Sequence, residues 1–159
     1  MNEPVSLKDF MPLIRELFAE GKTVTLTASG NSMRPLLHHG RDSVILAPCE
    51  APQKLKKRDV PLYERADGRF VLHRIVKVKN GQFSMCGDRQ TELETGILPQ
   101  SVAAVAVGFV RNGKKISCKS PLYRLYAFLW CAVRPLRPSL FKLKAALNKV
   151  FKKGGVKAS

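Results

Sequence analysis

Three side chains far apart in the 159-residue chain have types that could do chemistry together: a serine in a tight turn, a histidine in a strand and an aspartate in a second turn. The serine is Ser32, in "TASGNSMRPLLHHGRD" (27–42), where Gly30 and Pro35 bend the chain directly after a strand-like run. A hydroxyl held there, with backbone N–H groups converging around it, suits an acyl-transfer nucleophile with an oxyanion hole. Ser, Gly, Asn and Pro are also ordinary turn formers, so the chemistry depends on a base. His73 in "FVLHRIV" is the candidate, since an ordinary imidazole pKa of about 6.5 lets it take a serine proton near neutrality, a role worth roughly 10²–10⁴ in rate. Alternation puts it on the face of Val71, Ile75, Lys77 and Lys79, opposite Phe70, Leu72, Val76 and Val78, which makes Lys77 the alternative base. Asp88, in the Gly-Asp turn of "MCGDRQ", either orients His73 or pairs with Arg74, because a buried arginine needs an acceptor. His38 and His39, near Asp42 and Cys49, match no metal-ligand spacing; no metal and no cofactor is expected.

The elements that must position these groups are legible from periodicity. Leu7, Phe10, Met11, Ile14, Leu17 and Phe18 fall at helical spacing, with Ser6 and Asp9 as a capping box, Gly21 as a stop, and Pro12 as a kink or a later start. Period-two runs follow at 23–28, 43–48, 59–65, 69–79, 82–86 and 103–110, which predicts a mainly antiparallel sheet protein. Asn80-Gly81 and Asn112-Gly113 are hairpin signals, and Pro61 marks its strand as an edge or a bulge. Three parts result: an N-terminal amphipathic helix (1–22), a β-rich domain (23–117) and a helical tail (118–159).

Charge separates the tail from the rest. Of 28 Lys and Arg and 12 Asp and Glu, residues 111–159 hold 13 basic and no acidic side chains. Such a block suits an anionic partner. "SPLYRLYAFLWCAV" (120–133) predicts a helix ended by "RPLRP"; in "SLFKLKAALNKVFKK" (139–153) Leu140, Leu143, Leu147, Val150 and Phe151 share one face while Lys142, Lys149, Lys152 and Lys153 lie mostly opposite. Tyr123, Tyr126 and Trp130 beside Arg124 and Arg134 suit a lipid interface, so peripheral association with an anionic membrane is expected. No apolar run is long enough for a signal peptide or a membrane span, the longest rich in large apolar residues being Leu125–Val133. The expected location is cytoplasmic or peripheral to a membrane. Cys49, Cys86, Cys118 and Cys131 have no close pairing and read as free thiols.

In order, "SGNSMRPLL", "GRDSVILAP", "KKRDVPLYER", "FVLHRIVKV", "FSMCGDRQ" and "VAAVAVGFVRNGKKI" resemble the peptidase superfamily of type I signal peptidases and LexA-like self-cleaving repressors. The likeness runs from about Leu26 to Ile116 and is nearest to the Ser-His, endoplasmic-reticulum and archaeal-type branch. It implies a coiled antiparallel β-domain, with Ser32 as nucleophile, His73 as general base and Asp88 as third member. Gly30, Asn31 and the Ser32 N–H would form the oxyanion hole, with Met33 following in the substrate-binding box. A peptide or preprotein would bind as an extended strand. Glu92 and Glu94 follow the Gly-Asp turn but do not align cleanly with the second acidic residue of some relatives. Where the family has Gly-Asp, this chain has Gly40-Arg41-Asp42 and Arg58-Asp59.

Two other functions are weighed against the serine endopeptidase. A LexA-like regulator would need a helix-turn-helix and a self-cleavage Ala-Gly bond; only one helix precedes the strands and Ala-Gly does not occur, so no specific nucleic acid is expected. A non-catalytic peptide- or membrane-binding module of the same fold would have no need of Ser32, His73 and Asp88 together.

Overall fold

In a computed structural model, which describes residues 7–137 and 139, the first apolar stripe forms helix α1 (Leu7–Ala19), burying Met11, Ile14 and Phe18. It runs unbroken through Pro12. The expected cap at Ser6 lies outside the described residues. Nine strands follow: β1 (Val24–Thr27), β2 (Ser43–Ala47), β3 (Pro61–Glu64), β4 (Phe70–Leu72), β5 (Arg74–Lys79), β6 (Gln82–Cys86), β7 (Glu94–Ile97), β8 (Val102–Arg111) and β9 (Lys114–Ser117). Helix α2 (Pro121–Val133) and a single 3₁₀ turn at Arg134–Leu136 close the described chain. The fold is mainly β and antiparallel, as the alternation predicts, with a helix at each end.

The larger sheet has the order β1-β2-β8-β3-β4. β8 carries β2 along one edge, and β3 and then β9 along the other, because β2 pairs with residues that both of those strands also pair with. The smaller sheet is β5-β6-β7. Both Asn-Gly pairs take positive φ at each residue, the geometry that joins twisted strands through a two-residue turn. Pro61 opens β3, which lies between β8 and β4 and has a register shift at Leu62/Tyr63. Of the two expectations for this strand the irregular register is observed and the edge position is not; as a strand's first residue, Pro61 needs no ladder N–H.

The run read from sequence as one strand over 69–79 is two strands. The chain leaves the larger sheet at Leu72 and enters the smaller one at Arg74, with His73 at the corner. Backbone bonds hold the corner to the preceding segment: His73 N–H to Pro61 O at 3.4 Å, Ile75 N–H to Asp59 O at 2.9 Å, and Arg58 N–H to Ile75 O at 2.8 Å. Alternation survives as far as the corner. Phe70 and Leu72 pack on the main core, whereas Val71 packs with Tyr63, Ile75, Phe83 and Met85 in a second core between the sheets. A register shift between Ile75 and Lys77 then leaves Lys77, Val78 and Lys79 exposed.

The main core joins Met11, Ile14 and Phe18 of α1 to Val44, Leu46, Leu62 and Phe109 of the sheet and to Tyr123 and Ala127 of α2. Ser120 caps α2, its hydroxyl accepting from Tyr123 N–H at 3.2 Å, and Pro121 fits the first turn because no helix acceptor exists for its missing N–H. All four cysteines are free thiols. Among the described residues no helix is long and apolar enough to cross a membrane. The basic amphipathic helix expected for 139–153 lies, but for its first residue, outside the described residues.

Candidate active site

The serine turn is fastened at its base and on its inner side. Ala28 N–H donates to Asp42 O and Gly40 N–H to Ala28 O, both at 2.9 Å, which closes the loop into a ring. The Asp42 carboxylate, with no exposed surface, accepts from His38 N–H (2.9 Å), from Arg41 Nε and Nη2 (2.9 Å each) and from Asn112 N–H (3.3 Å). The Arg41 hydrogen bonds hold its pKa well below the usual carboxylate range. Met33, Leu36 and Leu37 enter the core. Side chains of that size contribute about 1.5–3 kcal/mol each when withdrawn from water, so the turn is anchored as firmly as a strand. Gly30 has φ +93°, a conformation that disfavours any other residue.

Ser32 itself is half-buried and its carbonyl is fixed, accepting from Arg89 N–H at 2.8 Å. Gly87 makes this approach possible: a Cβ there would lie 2.7 Å from Ser32 O. The Gly-Asp turn therefore butts directly against the Ser32 backbone. Among the described residues the N–H groups of Asn31, Ser32 and Met33 donate to no protein acceptor and in that sense are free. Gly30 N–H is not, because it donates to His39 Nδ1 at 2.9 Å. That corrects the sequence expectation for Gly30, whose contribution is its backbone conformation. The adjacent histidines diverge, His39 to Gly30 and His38 to Asp42.

His73 is 1% exposed. Its Nδ1 lies 3.0 Å from Glu94 Oε1 and 3.3 Å from the Tyr63 hydroxyl. Tyr63 donates its own proton to Glu94 Oε2 at 2.7 Å, and Arg65 holds both carboxylate oxygens, Nε lying 2.8 Å from Oε2. Since the tyrosine proton is committed to Glu94, Nδ1 is the imidazole donor, and Nε2 is left with the lone pair. Burial lowers the His73 pKa below its ordinary 6.5, against the opposing pull of Glu94, so the ring is neutral at pH 7. Burial would raise the Glu94 carboxyl, but hydrogen bonds from Arg65 and Tyr63 outweigh it and hold the group ionised.

Asp88 does not orient His73. Its oxygens accept from Arg74 Nε at 2.8 Å and Nη2 at 2.7 Å, a two-pronged pair in which both side chains are 1% exposed. Arg74 Nη1 is satisfied by Arg58 O and by the Tyr123 hydroxyl, each at 3.0 Å. The third member of the histidine's group is Glu94, at the start of β7. Lys77 is no competing base: it sits on the exposed end of β5 among Asn80, Gln82 and Thr95, remote from the serine turn.

Helix α2 locks the Gly-Asp turn from behind. Tyr126 donates to Asp88 Oδ2 at 3.3 Å, Trp130 Nε1 to Asp88 O at 3.1 Å, and Arg137, 4.6 Å over the Trp130 ring, reaches Gln90 O and Trp130 O. Tyr123, Tyr126 and Trp130 therefore face the protein, which corrects their assignment to a lipid interface.

An apolar cavity of about 220 Å³ opens beside the serine. Gly30, Ser32 and Met33 share its wall with Leu26 of β1, Leu62 of β3 and Leu72, the residue before His73. β1 and β4 are edge strands of the larger sheet, and both flank this cavity. Ser32 Oγ makes no hydrogen bond to His73 among the described residues; such bonds often tighten only when substrate arrives. The structure thus brings Ser32 and Met33 to one cavity whose wall ends at Leu72, the residue before His73, leaves Asn31 exposed, and puts Glu94 rather than Asp88 beside the imidazole.

Tyr63 and Arg65 complete the site without having been singled out from sequence, and Glu94 stood out there only, with Glu92, as an acidic residue after the Gly-Asp turn that did not align cleanly. A signal existed for Tyr63: pairing "PLYE" against "FVL" sets it opposite Val71, on the face His73 shares. No family model matches the chain, and no curated protein matches it.

Proposed function

We propose that the chain is a serine endopeptidase of the signal-peptidase-like fold that acts on an extended peptide, with Ser32 as nucleophile, His73 as general base and Glu94 as the group that orients the base. The observation that carries this reading is the setting of His73: Nδ1 lies 3.0 Å from Glu94 Oε1, which favours the Nδ1–H tautomer and leaves the lone pair on Nε2, and the preceding residue, Leu72, lines the serine's cavity. Substrate would add along the free edge of β4 or β1, placing one small apolar side chain in the cavity. Nε2 takes the Ser32 hydroxyl proton as Oγ attacks the scissile carbonyl, and the oxyanion forms against the free N–H groups of Ser32 and its neighbours. The imidazolium is stabilised by Glu94 and returns the proton to the leaving amine. Water, activated by the same Nε2, then releases the acyl group and restores the serine.

The test is adduct mass after treating wild type, Ser32→Ala and His73→Ala with a peptidyl phosphonate from about pH 5 to about pH 9. Labelling only on Ser32, absent in both variants, is expected. Folded wild type that takes no adduct at any pH would overturn the reading in favour of a non-catalytic peptide-binding module.

A further inference from the structure

The outward face of α2 is apolar where a helix on a protein surface is ordinarily polar. Tyr123, Ala127 and Cys131 are buried, and on the opposite side Leu122, Leu125 and Leu129 fall at i, i+3 and i+7, with Leu136 exposed in the 3₁₀ turn that follows. Leu122 is 80% exposed and Leu136 60%, with Leu125, Phe128 and Leu129 each more than half exposed. Four exposed large apolar groups on one helix, with a fifth in the turn after it, are an interaction surface rather than scattered exposure. Beside it lies a cavity of about 210 Å³ whose wall includes Lys56, Lys57, Arg58 and Arg124 and one carboxylate, Asp59, which accepts from Lys56 N–H at 2.7 Å. Arg58 joins the two features, its guanidinium 5.7 Å over the Phe128 ring.

We infer that this face docks on an anionic lipid bilayer, the leucines and Phe128 entering the acyl boundary while the Lys56, Lys57, Arg58 and Arg124 pocket receives a lipid headgroup phosphate. The charge pattern selects this occupant over others. From Arg111 to the end of the sequence every charged side chain is basic, so a second copy of the chain, or its own last segment folded back, would bring like charges together. Nucleic acid would satisfy the cations but leave five large apolar groups without a partner. An anionic bilayer satisfies both, each cation near its surface being worth roughly a threefold to fivefold gain in binding. The inference is independent of catalysis, since no residue of the serine cavity takes part.

Flotation of the full chain with phosphatidylcholine vesicles, with and without about one-third phosphatidylglycerol, tests it. Wild type is expected to float with the anionic vesicles and not with the neutral ones. Leu125→Ser with Leu129→Ser, and separately Lys57→Glu with Arg124→Glu, should each weaken binding about tenfold or more. All these side chains are on the surface, so melting temperature should be retained, and Ser32→Ala should float as wild type does. Binding unchanged in either double variant would overturn the inference, as would equal binding to neutral vesicles or none to either. A dimer that Leu125→Ser with Leu129→Ser dissociates would assign the face to a second copy instead.

Discussion

His73 and Arg74 are neighbours in the chain, both withdrawn from water, and each faces a carboxylate; yet the two pairs are built for opposite ends. In the Arg74–Asp88 pair both partners are sealed and every prong of the guanidinium that meets the carboxylate is matched. In the His73–Glu94 pair the carboxylate is 27% exposed and shared with Arg65 and Tyr63. Arginine cannot give up its proton in a protein, so Arg74 stays charged and the first pair serves as a strut. Arg65 blunts the charge of Glu94, burial prevails over attraction, and His73 stays neutral. The difference shows what separates a candidate base from a strut at one corner of the chain: a group able to titrate, and a carboxylate already partly neutralised.

Breaking the strut should have the largest effect. Asp88→Ala leaves Arg74 buried and uncompensated, and stability in urea should fall by about 3–5 kcal/mol. Arg74→Met with Asp88→Leu should recover part of that loss, since the apolar pair carries no unpaired charge but leaves Arg58 O and the Tyr123 and Tyr126 hydroxyls without these partners. A fall below about 1 kcal/mol for Asp88→Ala would place the pair with ordinary exposed ion pairs and erase the contrast.

Glu94→Gln should spare the fold and damage the chemistry. The amide can donate to Nδ1, favouring the tautomer whose Nε2 carries the proton, and turnover should drop roughly 10²- to 10⁴-fold. The pH dependence gives the sign. Activity needs neutral imidazole, so the wild-type acid limb should lie below pH 6.5, where burial has moved the group. Glu94 pulls that pKa upward, so in Glu94→Gln the limb should move to still lower pH. A limb that moves upward would show that the carboxylate does not act on His73.

The same contrast explains how far the sequence could be read. The helix at 7–19, the β2, β6 and β8 strands and both Asn-Gly hairpins follow from local periodicity and turn chemistry, which do not depend on distant partners. Ser32 and His73 were legible because a turn and a strand advertise themselves locally. The partner of His73 was not, because Asp88 and Glu94 stand at comparable sequence distance, and the choice rests on the corner at residue 73. That corner turns Arg74 toward the Gly-Asp turn and His73 toward β7, and period-two alternation has no term for a strand that changes sheets. The inward aromatic face of α2 was missed for a related reason: Trp130 and Tyr126 find their acceptors on Asp88, a contact across about forty residues.

Gly87 offers the smallest and most local test, because it touches both regions at once. The turn it opens carries Asp88 to the strut, and its lack of a side chain lets Ser32 O approach. In Gly87→Ala the new methyl would meet Ser32 O and Gln90 Oε1, each at 2.7 Å. The Gln90 amide is the end of a flexible chain and can move. The Ser32 carbonyl is fixed by Arg89 N–H and cannot. Stability should fall by about 1–3 kcal/mol, the range for an overfilled interior, and labelling of Ser32 should slow by about tenfold or more as the nucleophile is displaced. Adding Gln90→Ala separates the two contacts. Labelling that stays slow in the double variant assigns the effect to the serine turn, whereas recovery would mean that Gln90 was the obstacle and that the strut and the nucleophile are not coupled through this glycine.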